Sequence, residues 1–303
     1  MITSLFSKSK PLNFIIVLFI MLLAFVLGNR HGIDQSAILE KSFLFFICLL
    51  TVLVLNFIVS KNSLTQNSNY EILFFSLFIL ALPNTTANLN ILMANIFLLF
   101  ALRRLITLRS QINVEKKLFD AAFWIAIASL FYFWAGLFFI LIIITLLLYT
   151  DNQIRHWIIP FIGTAAVFVI AIAASIICYG NFFGIFNTAP SVSFDFSNYN
   201  SPRYIITTTM LFSFGLWSSI FYLKSIKQKK KAFRPSFKVV LFTAIISFVV
   251  IVLAPQKNGN EFLFLFAPAA IILTNYIETI KDKWFKELFL AVLVLVPFLL
   301  LLF

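Results

Sequence analysis

The chain has few charged residues. Only 11% of its 303 residues are Asp, Glu, Lys or Arg, whereas 62% are hydrophobic, and the mean hydropathy is +1.02. A soluble protein of this length needs a polar surface that so few charged side chains do not supply. The composition excludes an ordinary soluble globular protein. It predicts that much of the hydrophobic surface, including many of the 40 Phe residues, faces lipid.

Cysteine, histidine and catalytic motifs are also scarce. The two cysteines, Cys48 and Cys178, lie within apolar runs, so we expect buried thiols and no disulfide framework. The chain has no P-loop, G-x-G-x-x-G, G-x-S-x-G, H-E-x-x-H or C-x-x-C motif. The two histidines, His31 and His156, are predicted on opposite sides of a membrane and cannot share a metal. No metal site is predicted and the sequence requires no cofactor, although a divalent cation is compatible with it.

Acidic residues are much rarer than basic ones. The 11 acids and 23 bases give a net charge of +12, but no zinc finger, helix-turn-helix or RNA-binding signature accompanies them. All the basic residues lie outside the long apolar runs, at the predicted membrane edges. That distribution is typical of the positive-inside rule and of contact with anionic lipid headgroups. We therefore expect membrane lipids as partners and no nucleic acid.

The sequence consists mainly of long apolar runs. A helix needs roughly 20 apolar residues to cross a bilayer. The first run follows Lys8 and Lys10 without an A-x-A-like cleavage site, and is therefore predicted to be a membrane helix and not a signal peptide. The clear candidates are 12–28, 42–60, 157–178, 204–223, 239–254, 262–277 and 288–303.

Two further apolar regions are interrupted. Residues 71–102 contain a polar break from Pro83 to Asn90, and residues 119–150 contain a small-residue break at 134–136. The second region would be ~48 Å long as one helix, which is longer than a bilayer core. Each region is therefore a candidate for two crossings.

Charge parity supports two crossings for each region. Five basic residues and one acid lie in 103–117, and seven basic residues and no acid lie in 224–238. Both stretches are therefore predicted to be cytoplasmic. Because an even number of crossings must separate two cytoplasmic stretches, the interrupted regions must each cross and return.

The predicted fold is an all-α, polytopic transmembrane helix bundle in one integral membrane domain, residues 1–303. It has about eleven segments, a cytoplasmic N-terminus and an external C-terminus, and is expected in the inner (cytoplasmic) membrane of a bacterium. In this topology 19 basic residues are cytoplasmic and four are external. Four segments are short (71–82, 89–104, 119–133 and 136–150), and we expect two broken hairpins beside a water-filled external cavity.

The external polar residues are the candidate site. Asn84, Thr85 and Asn88 in the first break have amides and a hydroxyl that can bind a sugar or headgroup, although a solvated turn over a thinned bilayer explains them equally. Lys257 and Arg203, two of the four external basic residues, are candidates to neutralise a phosphate. The alternative is that they are interface anchors whose charged ends reach the aqueous phase.

The first external loop, residues 29–41, contains the candidate catalytic carboxylates. Asp34 and, behind it, Glu40 are placed to act as a general base or metal ligand for a lipid-phosphate substrate. The alternative is an ordinary solvated loop with a helix cap.

Two segments resemble polyprenyl-phosphate-dependent glycosyltransferases of the GT-C type. The segment Lys257 to Glu278, KNGNEFLFLFAPAAIILTNYIE, is similar to their late basic-aromatic-proline span, here Lys257, Phe262 and Pro268. The run ASLFYFWAGLFFILIIITLLLYTDNQIRHWIIP is similar to their broken mid-chain helices. The resemblance implies a lipid-linked sugar substrate and an acidic catalytic residue in a long first external loop, for which Asp34 is the nearest match in a much shorter loop. The chain also looks like uncharacterised multi-pass bacterial inner-membrane families, for which no activity is implied.

Two classes of function follow. One is a GT-C-like protein, an enzyme if the carboxylates are active, that binds a polyprenyl-phosphate-linked sugar or other lipid from the external side. The other is non-enzymatic, either a transporter or a structural subunit that binds membrane-protein partners in a cell-envelope complex. Two features argue against a transporter: the long spans have no ionisable residue at mid-depth, and the sequence has no obvious inverted repeat. A site shared by Asp34, Lys257 and Arg203 would favour the first class.

Overall fold

The computed structural model describes residues 2–29, 38–149, 153–186 and 191–302. These residues form α-helices and short 3-10 turns and contain no β-strand, which confirms the all-α prediction. Asp34 lies outside the described residues. The helices are α1 Ile2–Phe6, α2 Pro11–Gly28, α3 Ile38–Asn62, α4 Tyr70–Ala81, α5 Leu89–Thr107, α6 Val114–Phe131, α7 Phe139–Leu148, α8 Ile154–Tyr179, α9 Pro202–Gln228, α10 Arg234–Leu253, α11 Leu263–Thr279 and α12 Lys283–Leu299.

Seven of the described helices are long and apolar enough to cross a membrane, which indicates a membrane protein. Each of the eleven predicted segments overlaps one of the helices α2 to α12, with bounds that differ by several residues at some ends. The number of crossings and the side of each terminus stay predictions. The seven spans are Pro11–Gly28, Ile38–Asn62, Leu89–Ser110, Ile154–Tyr179, Pro202–Gln228, Lys231–Leu253 and Asn260–Thr279.

The chain divides into two compact units. Unit 1 contains Met1–Leu92, Asp195–Lys229 and Gln256–Phe303, and unit 2 contains Met93–Phe194 and Lys230–Pro255. The single integral domain expected from the sequence stays a prediction.

The core of unit 1 is built around α4. All twelve of its residues are buried, and it packs against α2, α3, α11 and α12. Its sequence, YEILFFSLFILA, is apolar on nearly every side, which is typical of a helix surrounded by other helices. At 1.5 Å per residue α4 is about 18 Å long, too short to span a bilayer core. Helix α11 is nearly as buried and packs against both α4 and α9.

The predicted break after α4 is confirmed. Pro83 has no backbone N–H to continue the helix, and a 3-10 turn, Pro83–Thr86, follows. The next helix is longer than the predicted 89–104. Helix α5 continues to Thr107 and then into a 3-10 turn, giving a 22-residue span. Arg103 and Arg104, at the predicted end of this segment, are followed by a further stretch of helix, and Arg104 forms an ion pair with Asp120, 2.8 Å between Nη2 and Oδ2.

Unit 2 is built on the pairing of α6 with α8 and of α7 with α10. The predicted interruption between α6 and α7 is confirmed as a 3-10 run, Phe133–Phe138, after which α7 has only ten residues. Helices α6 and α8 approach closely at Gly163, where an added Cβ would lie 2.8 Å from the Phe119 carbonyl oxygen. Only a residue without a side chain fits this crossing.

Candidate functional site

Several of the predicted external residues come together at one end of unit 1. Three segments meet there: the turn after α4, the start of α9 with the residues before it, and the loop before α11. We call the group the Lys257 cluster. Its members are Asn84, Phe196, Tyr199, Arg203, Tyr204, Lys257, Asn258 and Glu261.

Arg203 binds the carboxyl end of α4. Its Nε donates to the Ala81 carbonyl at 3.1 Å and its Nη2 to the Leu80 carbonyl at 3.4 Å. Because Pro83 interrupts the helix, these last carbonyls have no partner within it, and a cation there also complements the helix dipole. The guanidinium of Arg203 therefore holds the start of α9 against the turn that carries Asn84.

Tyr204 links the other two segments. Its hydroxyl accepts a hydrogen bond from Asn84 Nδ2 at 3.1 Å and donates one to the Asn258 carbonyl at 2.7 Å. The ring lies so close to Gly259 that a Cβ there would be 2.4 Å from Tyr204 Cε1, and Gly259 also has φ 82°. The loop before α11 therefore needs glycine at this position, for its backbone angle and for the room it leaves.

Lys257 is the most unusual residue of the cluster. The residue is only 1% exposed, and its Nζ lies 4.6 Å from the centre of the Phe196 ring. Its backbone is in the left-handed region, with φ 47°. Burial lowers the pKa of the Lys257 ammonium, and the nearby Glu261 carboxylate partly offsets this effect. A cation over an aromatic face is an attractive but modest interaction.

The segment before α9 is held to the loop before α11. The Tyr199 hydroxyl donates to the Glu261 carboxylate, and Asn198 Nδ2 donates to the Gln256 carbonyl at 3.1 Å. The Tyr199 ring also lies 5.5 Å from that of Phe262, centre to centre. These contacts fix the position of Phe196 over Lys257.

The other candidate residues have local partners or lie elsewhere. Thr85 is buried and its hydroxyl donates to the Leu82 carbonyl at 2.7 Å, while Asn88 Oδ1 accepts from the Ile91 N–H at the start of α5. Both side chains therefore shape the turn, and Asn84 is the exposed one of the three. Glu40 is exposed in the first turn of α3 and is not a member of the Lys257 cluster; Asp34 is outside the described residues.

The cluster suits an anionic or sugar ligand better than a metal ion. It contains two cations, amide groups and two tyrosine hydroxyls, whereas its carboxylate, Glu261, already accepts from Tyr199. Nearby Asp195 is exposed, and hydrogen bonds from Ser197 lower its pKa. Among the described residues, no group of three or more His, Cys, Asp or Glu side chains is arranged to hold a metal.

A second polar cluster at the opposite ends of α4 and α11 escaped the sequence analysis. Glu278 Oε1 accepts from Ser68 Oγ at 2.6 Å and from the Gln66 N–H at 2.8 Å. Glu71 is 1% exposed, and its Oε2 has no hydrogen-bond partner among the described residues. Both acids stand at ends of apolar runs. An acid at the end of an apolar run could have indicated this cluster. The counting of charges used such a position only to mark the edge of the membrane.

The chain matches, over residues 1–303, the family described as "Family of unknown function (DUF6427)", and it belongs to that family. No curated protein and no solved structure matches it. The family match gives no support to the glycosyltransferase resemblance, and it is compatible with the likeness to multi-pass membrane families.

Proposed function

We propose that this member of the DUF6427 family is a multi-pass protein of the bacterial inner membrane that binds a lipid-linked, polyprenyl-phosphate sugar from the external side. The Lys257 cluster is the binding site for the phosphate and the first sugar. The observation that carries the proposal is Lys257 itself, a buried ammonium in a left-handed backbone conformation.

The position of Lys257 is costly for a residue with only a structural role. A left-handed conformation costs a non-glycine residue about 1–2 kcal/mol, and burying an ammonium adds a desolvation penalty. Glycine or asparagine would satisfy the backbone more cheaply. Strained residues and buried charges concentrate at functional sites, so a lysine in this conformation supports a role in binding an anion.

The neighbouring groups provide the rest of the proposed site. Arg203, half-buried beside the turn, adds a positive charge for the phosphate, although its hydrogen bonds to α4 also give it a structural role. The exposed amide of Asn84 and the Tyr204 hydroxyl suit the hydroxyl groups of a sugar. Thr85 and Asn88 hold the turn in place. The external location rests on the charge asymmetry, which leaves only four basic residues on this side.

The test is the lipid that copurifies with the protein. We would purify the wild type, Lys257→Asn and Lys224→Asn, extract lipid and quantify isoprenoid phosphates by mass spectrometry. Asparagine tolerates the left-handed conformation, so Lys257→Asn removes the charge without imposing new backbone strain. Lys224 is the matched control because its Nζ also lies over a phenylalanine ring, 5.3 Å from the centre of Phe221, but its side chain is exposed.

We expect the wild type and Lys224→Asn to retain the lipid and Lys257→Asn to lose it by about tenfold or more, a difference of ~1.4 kcal/mol. Equal retention in the two variants would refute the site. A wild type without isoprenoid lipid would refute the proposal and favour a structural subunit of an envelope complex.

The enzymatic part of the proposal is separable. If the protein is a GT-C-like glycosyltransferase, Asp34→Asn or Glu40→Gln should keep the bound lipid and lose transfer of its radiolabelled sugar in proteoliposomes. Transfer that persists in both variants would exclude these two carboxylates as the catalytic group. A wild type that never transfers the sugar would be a binding protein without catalysis.

A further inference from the structure

Unit 2 contains an apolar groove between α7 and α8. Its volume is about 280 Å³ and almost no polar surface lines it. Helix α7 contributes Phe139, Ile142, Ile143 and Leu146, whose spacing of three and four residues places them on one face. The groove is open to the surroundings of the protein, because Ile143 is 47% exposed.

The groove exists because α8 packs closely on one side only. On its α6 side Gly163 allows near-contact with the Phe119 carbonyl, whereas few residues of α7 approach α8. The face of α8 turned toward α7 carries large side chains, among them Trp157 and Phe161. An unfilled apolar gap forfeits dispersion contacts, so a groove of this kind in a membrane favours an apolar occupant.

A polar recess continues the same face of α8. It has a volume of about 590 Å³ and is lined by Gln111, Asn113, Glu115, Lys116, Gln153 and His156. In α8 the recess residue 156 and the groove residues 157, 160, 161 and 164 follow the three-and-four spacing of a single helical stripe, and the recess residue 153 immediately precedes the helix. The recess therefore passes into the groove within one helical turn.

The helix ends around the recess are strongly basic. The described segments around the end of α5, the start of α6 and the start of α8 contain six basic residues and two acids, Glu115 and Asp120. This excess of positive charge favours an anionic headgroup. The basic residues are Arg103, Arg104, Arg109, Lys116, Lys117 and Arg155.

We propose that unit 2 holds an anionic glycerophospholipid, with an acyl chain in the α7–α8 groove and the headgroup in the recess beside Lys116. A methylene group is about the size of a water molecule, which occupies ~30 Å³. The groove volume of about 280 Å³ therefore accommodates roughly nine methylene groups, about half of an acyl chain. The proposal uses only residues of unit 2. It does not depend on the lipid-linked sugar proposed for the Lys257 cluster.

The groove is tested by filling it. Ile143→Trp places an indole in the groove, and Ile140→Trp is the matched control, because Ile140 lies on the same helix with 46% exposure and does not line the groove. Each protein is titrated with dioleoyl-phosphatidylglycerol in detergent, and the bound lipid is counted by native mass spectrometry. We expect Ile143→Trp to reduce retention about tenfold or more, since it displaces several buried methylene groups, and Ile140→Trp to match the wild type.

The headgroup is tested by charge. The wild type should retain more dioleoyl-phosphatidylglycerol, which is anionic, than dioleoyl-phosphatidylcholine. Lys116→Gln should lose that preference. Lys230→Gln removes an exposed lysine outside the recess and should keep the preference. Equal retention of the two lipids by the wild type overturns the proposal, and so does an equal response of the two tryptophan variants. Thermal unfolding of each variant in detergent serves as the folding control.

Discussion

Arg203 shows how one side chain can serve both structure and a proposed site. Its guanidinium closes the carboxyl end of α4 through the Leu80 and Ala81 carbonyls. The sequence identified Arg203 as one of four external basic residues. It could not identify its partners, because those carbonyls lie more than 120 residues away along the chain. Distant pairings of this kind leave no periodic signal in a single sequence.

Arg203→Leu should destabilise the protein. The change removes two hydrogen bonds from a charged donor and leaves the carbonyls at the end of α4 without partners, so we expect the free energy of unfolding to fall by about 1.5–3 kcal/mol. Thermal unfolding in detergent measures the change. Arg155→Leu is the control, an exposed arginine for which we expect less than about 0.5 kcal/mol. Equal midpoints for the two variants would contradict the capping role.

The lowered pKa of Lys257 gives a pH dependence of binding. Burial makes this ammonium lose its proton below its ordinary value of 10.5, so isoprenoid-phosphate retention should fall as pH rises through the lowered pKa. Between the lowered pKa and 10.5, the unfolded chain binds more protons at this lysine than the folded chain does. The free energy of unfolding should therefore rise with pH in that range. Retention measured from neutral pH to about 10.5 should fall in the wild type and stay flat in Lys257→Asn. Parallel curves would argue against Lys257 as the binding cation.

At the scale of elements, the hydrophobic pattern and the prolines predicted the positions of the helices better than their lengths. Pro83 and the small residues near Gly136 marked both interruptions correctly. The length of α5 was missed because charge was taken as the end of a membrane helix. Arginine favours helix, and Arg104 finds Asp120 on the neighbouring α6, so the helix continues through the basic residues.

Gly163→Ala tests the close crossing of α6 and α8. A methyl group there meets the Phe119 backbone at 2.8 Å and Ala122 Cβ at 3.1 Å, so the helices must separate and stability should fall by about 1–3 kcal/mol. Gly215→Ala is the matched control within α9, where nothing lies within 4 Å of an added Cβ. It should gain roughly 0.5–1 kcal/mol from reduced chain entropy. Thermal unfolding should therefore shift in opposite directions, and a shared direction would contradict the crossing.

At the scale of the whole molecule, composition alone was sufficient to predict a helical membrane protein. Charge asymmetry supplied the predicted orientation in the membrane. The gathering of Asn84, Arg203 and Lys257 at one end of unit 1 is consistent with the external site inferred from charge. The buried Glu71 was not anticipated, because burial depends on the packing of α2, α3, α11 and α12 around α4 and not on its local sequence.

The predicted topology requires that residues 119–150, which contain most of α6 and all of α7, cross the membrane and return. Single cysteines at Lys116, Ser191 and Lys230 in a variant without Cys48 and Cys178 test this directly, since all three positions are exposed. Labelling of intact cells with a membrane-impermeant maleimide should modify the cysteine at 191 and spare those at 116 and 230. Labelling of 116 and 191 from the same side would mean that α6 to α8 make an even number of crossings, which would contradict the topology and the external location of the Lys257 cluster.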